Sequence, residues 1–143
     1  MPKPRVLFLS THNSARSQMA EGFLRALAGD RFEVASAGTE ATRVHPLAIR
    51  AMDEVGVDLR PHTSKTLDRF AGQPWDYVIT VCDSANARCP LFPTPTTRIH
   101  WSLDDPAQAP GSDAERLTTF RRVRDEIKAR LVGWLADPET PFR

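Results

Sequence analysis

The sequence predicts a single α/β domain built as three layers, with a four-stranded parallel sheet in strand order 2-1-3-4 flanked by helices. Three observations lead there. Short apolar runs alternate with segments of helical period, the pattern of a parallel sheet with helical crossovers. The first apolar run stops at a stretch of small and polar residues placed directly before good helix formers, which puts a functional loop at the carboxyl edge of the sheet. The chain has 143 residues, 41% of them hydrophobic and 26% charged, the size and balance of one globular domain over residues 1–143.

Strand one is expected over residues 6–10, an apolar run suited to burial on both faces. Helix one follows over 14–27, with Ala20, Phe23, Leu24 and Leu27 on one side. Residues 32–37 read as strand two, closed by Gly38. Pro46 suits the first turn of helix two, which Leu47, Ile49, Met52 and Val55 continue to Gly56. Residues 58–70 are turn-rich, with a short helix from Thr66. Strand three is expected at 77–81 and a shorter strand four at 97–101. Ser112 and Glu115 form a capping box. It opens a long last helix in which Leu117, Phe120, Ile127, Leu131 and Trp134 recur at helical spacing. Helices are expected on both faces of the sheet.

The junction over residues 10–17 carries the chemistry. A loop between a strand's carboxyl end and a helix's amino end has unpaired N–H groups and the positive end of a helix dipole. Ser10, Thr11, His12, Asn13, Ser14 and Ala15 are mostly small enough for the backbone to curl around an anion. Arg16 adds a planar fork of donors for a tetrahedral oxyanion, and Ser17 a hydroxyl. A cysteine at position 10 would face the same amides and Arg16, and would ionise readily there. Ser10 is a poor nucleophile without a base. It reads as a Cys→Ser replacement of the kind that traps a ligand, with a natural non-catalytic loop as the alternative.

Cys82 follows strand three and emerges near this loop; Cys89 lies beyond it. Six intervening residues make about two helical turns, so the two sulfurs bond only if that segment loops out. Asp105, before Pro106 and after strand four, is a candidate general acid above the loop; an ordinary Asp-Pro turn is the plainer reading. None of His12, His45, His62 and His100 stands at metal spacing from another, and neither metal nor cofactor is expected. The formal net charge of +1 gives no bulk attraction to nucleic acid or an anionic membrane. With no apolar stretch near the ~20 residues of a membrane span, and two cysteines without an export signal, a reducing cytoplasm is expected.

Together the loop, Cys82, Cys89 and Asp105-Pro106 resemble the thioredoxin-coupled arsenate reductases built on the low-molecular-weight tyrosine phosphatase fold. Residues 36–38, 62–64 and 121–127 support the likeness across nearly the whole chain. The resemblance implies reduction of arsenate to arsenite by a relay from position 10 to Cys82 to Cys89. Thioredoxin would re-reduce the final disulfide, with Arg16 polarising the oxyanion, Asp105 as acid, and phosphate or sulfate as substrate analogues. With Ser10 in place of the first thiol, the chain as given is expected to be inactive. Some family members also hold a cation beneath the loop with residues matching Asn13, Glu21 and Ser36. The fourth, acidic ligand corresponds to Lys65, whose ammonium is expected to replace the cation, with a lysine that points into solvent from the loop as the alternative. A low-molecular-weight tyrosine phosphatase is the main alternative, but Ala107 and Gln108 stand where those enzymes carry tyrosines. A non-catalytic oxyanion-binding module is the other.

Overall fold

The computed structural model describes residues 3–82 and 95–136. Strands β1 (Arg5–Ser10), β2 (Glu33–Gly38), β3 (Tyr77–Thr80) and β4 (Thr97–His100) form one sheet in the order β2-β1-β3-β4, as the sequence predicted, and every pairing is parallel. β1 is central: it runs in register from Arg5↔Glu33 to Ser10↔Gly38 on one side and from Val6↔Tyr77 to Leu9↔Thr80 on the other. Val6, Leu7, Phe8 and Leu9 are all buried, which is why this strand reads as an unbroken apolar run.

Alternation along β1 divides the core. Val6 and Phe8 pack with Met19, Phe23 and Leu24 of α1 (Arg16–Ala28), Met52 of α2 (Pro46–Asp53), and Phe120 and Ile127 of α3 (Asp113–Ala136). Leu7 and Leu9 face the other way, onto Ala37, Trp75, Val78 and Cys82, with Leu67 and Phe70 against them. Among the described residues the α-helices therefore share one face. Among those residues the opposite face is covered by the 3-10 turn Leu67–Arg69 and the aromatic residues beside it, and Pro61, Gly72 and Pro74 keep the segment 61–74 from forming a longer helix. The helical turns considered between Cys82 and Cys89, and Cys89 itself, lie outside the described residues.

Boundaries move where local geometry overrides propensity. α1 begins at Arg16 rather than Ser14, because Asn13 (φ 49°) and Ala15 (φ −124°) hold non-helical backbone that belongs to the loop. α2 ends at Asp53, and Gly56 (φ 79°) reverses the chain in the left-handed region open to glycine. The capping box forms: Ser112 N–H donates to Glu115 Oε1 and Glu115 N–H donates to Ser112 Oγ, both at 3.2 Å. Among the described residues no helix is long and apolar enough to cross a membrane.

Candidate functional site

The loop joining β1 to α1 opens at the carboxyl edge of the sheet. No side chain caps the start of α1, which leaves its first amides for an external acceptor. Asn13, in its left-handed conformation, donates its N–H to Ser10 Oγ at 3.1 Å, and Ser17 Oγ lies 2.6 Å from the same oxygen. Ser10, His12, Ser14, Ala15, Arg16, Asp105 and Ala107 line a cavity of about 50 Å³. A larger groove of about 430 Å³, along the β2 edge among Phe32, Phe70 and Trp75, shares none of these groups.

Distant segments aim the polar groups into this cavity. Arg16 is buried; its Nη1 donates to Leu103 O at 3.0 Å and its Nη2 lies 3.5 Å from Asp105 Oδ2. The other Asp105 oxygen accepts from Ala107 N–H at 3.0 Å, capping the 3-10 turn Pro106–Gln108. One carboxyl oxygen thus serves the turn expected from Asp-Pro, and the other faces the arginine. Cys82, two residues past the end of β3, is buried with Sγ 3.2 Å from Thr11 Oγ1. On the rim, His12 Nε2 lies 3.3 Å from Glu40 Oε2.

A polar network holds the loop from beneath. Asn13 Nδ2 donates to Ser17 Oγ (2.8 Å) and Ser36 Oγ (2.9 Å), and Ser36 Oγ donates to Glu21 Oε1 (2.5 Å). Arg25 Nη1 contacts Glu21 Oε2 at 2.7 Å. Lys65 meets this network through both its backbone and its ammonium. Its backbone N–H, not its ammonium, reaches Asn13 Oδ1 at 2.9 Å. Nζ donates to Thr63 O at 2.7 Å and stands 4.0 Å from Glu21 Oε1. Burial pulls the Lys65 ammonium below its usual pKa, against the opposing pull of Glu21. With Arg25 on Glu21 and an ammonium at the fourth position, these residues do not fit a bound monovalent cation. Among the described residues no cluster of three or more His, Cys, Asp or Glu side chains is set to hold a metal.

Three supporting residues were not visible as such in the sequence. Gln18 is fully buried and donates Nε2 to Asn13 O (3.2 Å), Asn13 Oδ1 (2.9 Å) and Thr63 O (2.9 Å). His62 meets Gln18 Oε1 through Nδ1 at 2.9 Å. Gly38 ends β2 so close to the loop that a Cβ there would lie 2.7 Å from both Asn13 N and Thr11 O. Gly38 and His62 lie in stretches that carry the family likeness, and Gly38 marks the end of strand two, but neither signal shows that they support the loop; Gln18 stands at a position that periodicity treats as neutral.

Comparison with known proteins points to one family. Residues 5–140 match the family model for low molecular weight phosphotyrosine protein phosphatase. The arsenate reductase of Halalkalibacterium halodurans is 48% identical over 131 residues, covering 92% of this chain and 94% of that protein. The Bacillus subtilis arsenate reductase is 46% identical over 126 residues, 88% and 91% of the two chains. Among solved structures, an arsenate reductase in its oxidised state superposes with a TM-score of 0.78 at 38% identity, covering 92% of this chain and 96% of that one. An arsenate reductase in the phosphate-binding state gives 0.75 at 36%, with 93% and 97% covered. A thioredoxin-dependent arsenate reductase of Corynebacterium glutamicum gives 0.60 at 32%, with 92% and 64% covered. With a family model matched over nearly its whole length and relatives at close to half identity, the chain belongs to the low molecular weight phosphotyrosine protein phosphatase family.

Proposed function

We propose that this chain is an arsenate reductase whose nucleophile position holds serine, so that it binds arsenate, phosphate or sulfate in the β1–α1 loop without turnover. The observation that carries the reading is the buried Cys82 Sγ lying 3.2 Å from Thr11 of the loop. A thiol at that edge has no part in phosphate-ester hydrolysis, whereas a reductase needs a second thiol beside the first. The near-50% identity to arsenate reductases supports the same choice.

With a thiolate restored at position 10, sulfur would attack arsenic and a hydroxyl would leave as water, its proton supplied by Asp105. Cys82 would then attack the position-10 sulfur. The S–As bond breaks, its electron pair reduces As(V) to As(III), and arsenite departs. Cys89 would attack Cys82 next, freeing the first thiol, and the dithiol of thioredoxin would reduce the Cys82–Cys89 disulfide. Arg16 holds the oxyanion throughout as a bidentate donor. With Ser10 the first step fails, because an alcohol in this setting stays protonated.

The test is Ser10→Cys, assayed with arsenate, thioredoxin and its reductase. Reductant-coupled arsenite formation is expected in the variant and none in the parent chain, while both bind phosphate. A variant that hydrolyses an aryl phosphate efficiently and ignores arsenate would make this a phosphatase.

A further inference from the structure

We propose that Gln18 is a positioning residue of the oxyanion loop, its carboxamide oriented by the Nδ1–H of His62. The proposal rests on the loop being an oxyanion site, and concerns what keeps its amides aimed inward.

Asn13 is a buried non-glycine residue in the left-handed region, a conformation that has to be held by its surroundings. Its side chain is fully engaged. Nδ2 serves Ser17 and Ser36, and Oδ1 accepts from Lys65 N–H and Gln18 Nε2. Gln18 also reaches Asn13 O, so a single amide group grips both the side chain and the backbone of the residue that turns the loop. The two hydrogens on Nε2 face three acceptors, counting Thr63 O. A carboxamide turned the other way would set its oxygen against those three oxygens.

The remaining end of Gln18 selects between the two orientations. Oε1 faces His62 Nδ1 at 2.9 Å, and His62 Nε2 lies 3.4 Å from Arg25 Nη1. A guanidinium only donates, so Nε2 accepts and the proton sits on Nδ1. Burial and the nearby Arg25 and Lys65 lower the His62 pKa, against the opposing pull of Glu21, which keeps the ring in that neutral form. Orientation passes in order from Arg25 to His62, Gln18, Asn13 and the loop amides. Gln18 does not line the cavity of the loop, so its effect on binding is indirect.

Gln18→Met keeps the side-chain length and removes every hydrogen bond. Titrated with inorganic phosphate, it is expected to bind about tenfold or more weakly than the parent. The backbone carbon shifts of Asn13 should also move away from left-handed values in the absence of anion. Phosphate affinity within twofold of the parent, with Asn13 shifts unchanged, would overturn the proposal. If the variant does not fold, the parent chain decides: its Gln18 side-chain amide protons should exchange with water far more slowly than those of a surface glutamine, and free exchange refutes the assignment. A parent that fails to bind phosphate would instead refute the oxyanion reading, and the exchange measurement still reports on Gln18.

Discussion

Asp105 divides its two oxygens between structure and site, and that division gives it a measurable signature. Asp105→Asn can still accept from Ala107 N–H, so the turn should survive, but the proposed proton source beside Arg16 is lost. In the Ser10→Cys enzyme, the step that forms the arsenic adduct should slow by roughly 10²–10⁴-fold, read by single-turnover kinetics with folding stability little changed. Lys65 makes the complementary case beneath the loop. Its ammonium and Arg25 already place positive charge around Glu21, so phosphate affinity should be indifferent to replacing sodium by potassium. Lys65→Asp should create potassium dependence, seen as tighter phosphate binding when potassium is added. Clear potassium stimulation with Lys65 intact would contradict this account.

Among the elements, α2 carries an unusual start. His45 caps it: Nδ1 accepts from Leu47 N–H at 3.1 Å while the ring packs against Phe120. Burial, with Arg116 and Arg43 nearby, lowers the His45 pKa below its usual 6.5, and a protonated ring cannot accept at Nδ1. The folded state therefore binds fewer protons than the unfolded one. The cap's contribution, about 1 kcal/mol for a typical N-cap, is complete above pH 6.5 and fades as pH falls toward the lowered folded value. Urea unfolding between pH 7.5 and 5.5 should show this loss, and His45→Asn, which caps at either pH, should flatten it. The sequence made Pro46 legible as the helix's first residue and Ser112-Glu115 as a capping box, because both signals are local. His45 was not legible as a cap, although its partner Leu47 N–H is only two residues on, because histidine is not one of the usual cap residues; Gln18 and His62 were not legible as supports because they meet across 44 residues of chain and act on a left-handed dihedral angle at Asn13. Strand order was legible for a different reason: few topologies remain once apolar runs alternate with helices.

For the molecule as a whole, the site exists only in the folded state, so its ligand should act on global stability. Phosphate at 100 times its dissociation constant should stabilise the chain by about 2.7 kcal/mol, raising the thermal midpoint by several degrees for a domain of this size. Arg16→Ala should abolish most of that increment, as read by calorimetry with and without phosphate. Folding order matters as well. The guanidinium of Arg16 is anchored on Leu103 O, 87 residues further along the chain. A ribosome therefore delivers β1, the loop and α1 long before the residue that aims the arginine. A nascent chain stopped short of Leu103 carries all of residues 10–17 and still lacks the anchored geometry that grips a tetrahedral anion. Phosphate binding by a nascent chain is therefore expected only once synthesis has passed Leu103, and a product terminated before it should bind phosphate weakly and gain no ligand protection against proteolysis.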